Sequence, residues 1–289
     1  MFVWLLAALL AAGACCVGYG VFIERKAYRM IRQPTLPILP AGSEPLTILH
    51  LSDLHFVRVD DKKARFIAGL PRADVTVVTG DFLAEHEAVE TTVAAVRPAR
   101  GRLASYFVLG SNDIYVPKPL NPLRYFVRRR KVRLGTRGRT AELIAQLEAD
   151  GWIHLLNERR EVLLGELPVE VLGMNDPHIH RDDLRVAPRH SPEDFGLAIV
   201  HAPEPAPELV ALGYDLVVSG HTHGGQVRAP WGPLVNNSSL PLRITVGLFR
   251  FGRSYLHISQ GLGTSKYAPF RFLAPPQVEW LELVARKPA

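Results

Sequence analysis

The residues best suited to chemistry in this chain are aspartates, histidines and one asparagine, gathered in five short segments. These are Asp53-Leu54-His55, Gly80-Asp81, Gly110-Ser111-Asn112-Asp113, His201, and Gly220-His221-Thr222-His223. Taken singly each is weak evidence. A lone histidine at a strand end is more often a hydrogen-bonded structural residue, and Asp81 after Gly80 is equally suited to capping a helix. Together they say more, because no comparable set of serine or cysteine nucleophiles accompanies them. The two cysteines, Cys15 and Cys16, both lie in an apolar N-terminal run. A cluster that mixes carboxylates with imidazoles suits borderline divalent ions such as manganese, iron or zinc, whereas calcium and magnesium prefer all-oxygen cages.

The elements that must position these residues are visible just before them. Residues 46–51, 75–78, 106–109, 197–200 and 216–218 are short, unbroken, β-prone apolar runs, each ending at one of the polar segments. Such runs suit strands buried on both faces. Helical patterns fall between some of them, over 85–96 and 140–150, the second with Thr140 as a candidate N-cap and Gly151 as a stop. His86, on the first of these helices, reads as a surface residue. The plan is α/β, with polar residues at the carboxyl ends of strands, where open α/β sheets place their sites. The tail, 247–284, turns at Phe251-Gly252-Arg253 and Gly261-Leu262-Gly263 in a hairpin-like manner.

At 289 residues the chain has room for one large domain and an appendage, and its 47% apolar content argues against general disorder. Residues 1–23 carry no charged side chain. As a helix they are long enough to cross a bilayer, and they read as an uncleaved single-pass anchor. A cleaved signal peptide, or a lipoprotein signal with Cys15 after Ala12-Gly13-Ala14, is the alternative. Against it, no Lys or Arg precedes the apolar run, and Ala12 stands where a lipidation site favours Leu. Residues 24–45 read as a basic and Pro-rich linker, with Pro34, Pro37, Pro40 and Pro45 disfavouring helix, and 46–286 as the catalytic domain. Arg25, Lys26, Arg29 and Arg32 follow the apolar run closely. Flanking cations of this kind place the following domain on the cytoplasmic side, against an anionic leaflet. The stretch from Tyr115 to Thr140 is rich in Lys and Arg and has no acid. It reads as a solvated basic loop, or as a surface for anionic lipid; no nucleic-acid-binding motif accompanies it.

In order and spacing, Asp53-x-His55, Gly80-Asp81, Gly110-Ser-Asn-Asp113, His201 and Gly220-His-Thr-His223 resemble the signature of the calcineurin-like metallophosphoesterases. Gly224-Gly225-Gln226 and Gln260-Gly261-Leu262-Gly263-Thr264 are similar to the membrane-associated bacterial branch. The resemblance spans roughly residues 46–284. It implies a four-layer α/β/β/α sandwich, here with an N-terminal transmembrane helix, and two divalent metal ions as cofactors. Carried over residue by residue, Asp53, His55 and His223 would hold one ion, and Asn112, His201 and His221 the other, with Asp81 bridging. The implied reaction is attack of a metal-bridging hydroxide on a phosphate mono- or diester, small or lipid-linked. Two further readings stay open: a catalytically impaired, metal-bound membrane protein that binds phosphorylated ligands, and a nuclease using the basic loop.

One segment departs from the pattern. The family reads Gly-Asn-His and then an acid, the Asn binding metal and the His assisting the leaving group. Aligned without a gap, Ser111 takes the ligand position and Asn112 replaces the His. Shifted by one, Asn112 keeps the ligand role and Asp113 stands in for the His. Asn112 is the preferred ligand, because an amide oxygen is a better donor to a hard cation than a hydroxyl, and Asp113 becomes the candidate proton donor. Asn175-Asp176-Pro177-His178 could place Asp176 or His178 at the cleft rim, though a polar Asx-type turn suits it better. Trp231, Asn236 and Asn237 receive no role.

Overall fold

In the computed structural model, which describes residues 1–119 and 134–287, the apolar runs become strands of two mixed sheets. The first sheet begins with β1 (Arg29–Arg32), β2 (Leu36–Leu39), β3 (Leu46–Leu51), β4 (Val75–Val78), β5 (Ala104–Phe107) and β6 (Ile153–His154). The second takes β7 (Glu158–Leu164), β8 (Leu167–Met174), β9 (Phe195–Val200) and β10 (Leu216–Ser219). A small ribbon follows, β11 (Arg228–Ala229) with β12 (Gly232–Pro233), and then the hairpin β13 (Gly247–Phe251) and β14 (Ser254–Ile258) rejoins the second sheet. Finally β15 (Gln277–Ala285) returns to the first sheet, antiparallel to β3. The helices are α1 (Phe2–Gly18), α2 (Asp61–Ala68), α3 (Val89–Val96), α4 (Ser111–Ile114), α5 (Thr140–Ala149) and α6 (Ala206–Ala211).

Strands β3 to β6 run parallel, as do β8, β9, β10 and β14. Alternation of side chains along each strand then divides the core. Leu46, Ile48, Val75 and Val77 meet Leu197, Ile199, Leu216 and Val218 between the sheets. Leu49, Leu51 and Val78 face the other way, onto Ile67 of α2, Val93 of α3, and Leu143 and Leu147 of α5. On the far side of the second sheet Ala198 and Val217 pack with Leu209 of α6. The order of layers is helix, sheet, sheet, helix.

Several local expectations change in the folded chain. Residues 29–39, read as linker, add β1 and β2 along the outer edge of β15. Prolines are tolerated there because an edge strand pairs on one side only. The 85–96 pattern is a short 3-10 turn, His86–Ala88, leading into α3. His86 is buried, not on the surface, and its Nδ1 accepts from the Arg139 N–H at 2.9 Å. Arg139, not Thr140, stands at the N-cap position of α5, without a side-chain cap bond; the Thr140 hydroxyl donates to the Asp113 carbonyl at 2.8 Å. The 251–253 turn closes the β13–β14 hairpin, whereas 261–263, between β14 and β15, closes no hairpin and packs on the segment that follows β3, Gly263 N–H donating to the Asp53 carbonyl at 2.6 Å.

Helix α1 is exposed along its length, and with the turns that extend it to Lys26 it forms 25 residues that contain an 18-residue stretch of mean hydropathy 2.1. That is long and apolar enough to cross a membrane, a property signal sequences share. Its far end is docked. Glu24 is buried, and its carboxylate accepts from Leu273 N–H at 3.0 Å and Ala274 N–H at 2.5 Å. Most of the basic stretch, including Arg124, Arg128, Arg129, Arg130, Lys131 and Arg133, lies outside the described residues.

Candidate metal centre

The candidate residues sit just past the carboxyl ends of parallel strands from both sheets. Asp53 and His55 follow β3, Asp81 follows β4, Asn112 follows β5, His201 follows β9, and His221 and His223 follow β10. Five of these leave the strand through left-handed backbone: Asp53 at φ 48°, His55 at 44°, Asp81 at 53°, His221 at 68° and His223 at 50°. Non-glycine residues rarely adopt this region, and a cluster of them persists only where surrounding contacts over-determine the backbone. Those contacts are present. Asp53 N–H donates to the Gly80 carbonyl at 3.0 Å, His55 N–H to the Asp81 carbonyl at 2.9 Å, and Gly220 N–H to the His201 carbonyl at 2.8 Å. Space is tight enough at Gly110 that a Cβ would stand 2.2 Å from Asp81 Oδ1 and 2.7 Å from His201 Cε1.

Side chains from these turns converge. His55 Nε2 lies 3.2 Å from His223 Nε2 and 3.5 Å from Asp81 Oδ2. His223 Nε2 is 3.4 Å from Asp53 Oδ1. His201 Nε2 is 3.7 Å from Asp81 Oδ2 and 3.2 Å from His221 Nδ1. Asp53, His55 and His223 form one group whose donor atoms all lie within 4.8 Å of one another, and Asp53, Asp81 and His201 form a second. Asp53 belongs to both, while Asp81 faces a histidine of each. Asn112 completes the ring, its amide Nδ2 donating to Asp81 Oδ2 at 2.5 Å and its backbone N–H to Asp81 Oδ1 at 2.9 Å.

Protonation and outer contacts fit a cation here. Two rings are tied from behind to backbone carbonyls, His201 Nδ1 to Thr79 at 2.6 Å and His221 Nε2 to Asn237 at 3.0 Å. A ring that donates its outer N–H keeps its inner nitrogen as a lone pair, the arrangement of metal-bound imidazoles. Burial lowers the His55 pKa to about 4 and holds His221 and His223 well below the ordinary value, so these rings are neutral. His201 differs. Burial opposes its charging, but the carboxylates of Asp81, Asp176 and Asp53 outweigh that and raise it to about 10. Asp53 Oδ1 is buried with no hydrogen-bond partner. Converging carboxylates, an orphaned oxygen and inward lone pairs together make a hole for positive charge, compatible with two divalent ions.

Asp113 has a different place from the rest. It is fully buried, its Oδ1 accepts from Leu83 N–H at 3.1 Å and its Oδ2 from Gly110 N–H at 3.0 Å. Burial and the Asp81 carboxylate raise its pKa to about 8, against the pull of those two N–H groups. Both oxygens are therefore occupied in fixing the loops that carry Asp81 and Asn112. The 175–178 segment does make an Asx-type turn, Asp176 Oδ1 accepting from His178 N–H at 2.8 Å. It also borders the site, with the His178 ring 4.3 Å from that of His221. Asn237, given no role from sequence, holds His221. Arg271 carried no sequence signal at all, yet it is fully buried, with Nη2 3.3 Å from His223 Nδ1 and hydrogen bonds to the Gln260, Gly261, Gly263 and Ala274 carbonyls.

Comparison with known proteins agrees with this geometry. The family described as calcineurin-like phosphoesterase matches residues 46–225, more than half of the chain. Among relatives, the uncharacterized metallophosphoesterase YkuE of Bacillus subtilis is 25% identical over 287 residues, covering 93% of this chain and 91% of that protein. The phosphodiesterase YaeI of Escherichia coli is 25% identical over 278 residues, covering 92% of each. A second Bacillus subtilis metallophosphoesterase, YkoQ, is 27% identical over 235 residues, covering 78% of each.

Proposed function

The chain belongs to the calcineurin-like phosphoesterase family, and from that premise we propose that it is a di-metal phosphohydrolase of phosphate diesters or monoesters. Asp53, His55 and His223 would hold one ion and Asn112, His201 and His221 the other, with Asp81 shared. Two such ions, when bound, supply a nucleophile from water at neutral pH and neutralise charge growing on the phosphoryl oxygens. The observation that carries the reading is the convergence of buried Asp and His donors, with the outer ring nitrogens of His201 and His221 already at backbone carbonyls. The remaining work falls to the protein. The left-handed turns aim the donors, and Asn112 anchors the Asp81 carboxylate. Asp113 is buried with both oxygens bound by backbone N–H groups, which argues for fixing the loops rather than for protonating a leaving alkoxide. Esters with good leaving groups are therefore the favoured substrates, and the name of the Escherichia coli relative favours diesters. Purified protein loaded with manganese, iron or zinc should contain about two ions per chain and turn over bis-(p-nitrophenyl) phosphate. Tight metal binding without turnover would instead support the reading of an impaired, ligand-binding protein.

The proposal extends to place. The fully exposed apolar helix α1 supports a single-pass anchor. Arg25, Lys26, Arg29 and Arg32 after it support a catalytic domain on the cytoplasmic side, close to an anionic lipid surface.

A further inference from the structure

A cavity of about 270 Å³ adjoins the metal centre, with His55 and Gly263 in its wall. The wall also contains Arg25 and Lys26, the first cations after the apolar helix, together with Lys63 and Lys266. Two of these four are committed elsewhere. Lys63 Nζ donates to Asp60 at 2.7 Å and to the Leu54 carbonyl at 2.6 Å, and Lys266 pairs with Glu85 at 2.9 Å. Arg25 is different: its Nε is buried with no hydrogen-bond partner. Asp60, the acid in this wall, is taken up by Lys63. The side of the space formed by Arg25 and Lys26 therefore carries positive charge that no acid of the wall offsets. That side is also firmly fixed. Glu24, next to Arg25, is clamped by the N–H groups of Leu273 and Ala274, and Tyr19 sets its ring edge-on to Phe272. Phe22 and Ile23 are exposed, so the chain passes from apolar helix to cavity wall within two residues.

We propose that this cavity seats a second anionic group of a phosphate ester whose scissile phosphate lies at the metal ligands, and that a lipid surface presents the ester. The inference rests on the phosphohydrolase reading. A guanidinium and an ammonium beside each other recognise phosphate or carboxylate oxygens through charge-assisted hydrogen bonds. Their position directly after the apolar helix puts them at headgroup level, where basic residues meet anionic lipids.

The test compares two soluble chromogenic diesters with the same scissile bond, thymidine 5′-(p-nitrophenyl phosphate) and its 3′-phosphorylated form, on the full manganese-loaded chain in detergent. The 3′-phosphorylated ester should show kcat/KM higher by about tenfold, mostly through KM. Replacing Arg25→Gln with Lys26→Gln should collapse that ratio, and Arg25→Lys should preserve much of it. No preference in the unaltered protein, or equal losses on both esters, would overturn the inference while leaving phosphohydrolase activity intact. Absence of nitrophenol release from either ester would sink the hydrolase reading and this one with it. The source is separated by competition. Phosphatidylglycerol phosphate in phosphatidylcholine vesicles should inhibit at lower concentration than its deacylated soluble head. Equal inhibition by the two would remove the lipid surface from the proposal.

Discussion

Replacing Arg271→Met tests whether the metal centre is held in place by a group that never touches substrate. Burial lowers the Arg271 pKa to about 10, which leaves it charged at neutral pH, and its guanidinium binds four backbone carbonyls in the 260–274 region. Methionine fills much of the same volume but donates nothing. Removing the charged donor leaves buried carbonyls unsatisfied at about 1–3 kcal/mol each, for a net loss of roughly 3–5 kcal/mol. The released desolvation of the guanidinium is already included in such measured values. For a domain of this size that corresponds to a fall in Tm of about 10 °C. The functional effect follows from what the loop carries. The Gly263 carbonyl binds Arg271, whose Nη2 also lies 3.3 Å from His223 Nδ1, and the Gly263 N–H holds the Asp53 carbonyl. Removing an outer-shell partner of a ligand weakens metal binding about 10–100-fold. Thermal melting of the metal-free protein and titration with zinc, read by bound metal, measure the two effects separately. Arg271→Lys should fall between, because it keeps the charge and loses the fork. A variant that melts within about 1 °C of the parent and binds zinc equally well would refute the reasoning. A lowered Tm with unchanged zinc affinity would reduce Arg271 to a purely structural residue.

The other predictions are shorter. Asp81→Asn should lower metal content below about two per chain and remove most activity, measured by metal analysis and nitrophenol release. Asp113→Asn should lower Tm and reduce turnover of nitrophenyl and alkyl esters in equal proportion, since both its oxygens are engaged by backbone; a selective loss on alkyl esters would restore it as proton donor. A phosphatase reporter active only outside the cytoplasm, fused after Ala289, should stay inactive. Neutralising Arg25, Lys26, Arg29 and Arg32 together should raise its activity, and strong activity in the unaltered fusion would reverse the orientation.

The strands and the polar residues that end them were legible because a run buried on both faces must be apolar throughout and must stop at the site. Misreadings have local causes. Prolines at 34, 37 and 40 mark a linker and an edge strand alike, and nothing within 29–39 reveals that β15, some 240 residues later, will supply a partner. His86 lies on a polar-looking turn, but Gly138 comes so close that a Cβ there would stand 2.0 Å from the ring, covering a side chain that local pattern left exposed. Arg271 and Glu24 were invisible for a related reason. A buried charge is recognised by its partners, and theirs are carbonyl and N–H groups, which every residue possesses.

The division of labour among the histidines was beyond sequence for a deeper reason. In an extended strand His221 and His223 would face the same side and compete for one partner. Left-handed backbone at both positions separates them, so that His221 meets His201 while His223 meets His55 and Asp53. The same conformation at Asp53, His55 and Asp81 turns each donor inward from strands of a sheet that would otherwise aim alternate side chains to opposite faces. None of these residues prefers that conformation. It is imposed by close backbone contacts at Gly80, Gly110, Gly220 and Gly263, where a Cβ would stand between 1.8 and 2.5 Å from neighbouring atoms. Substituting one of those glycines by alanine therefore displaces a ligand without altering any ligand's identity. The strain that the glycines hold in place is what lets Asp53, His55, Asp81, His221 and His223, from two sheets, point at one small volume.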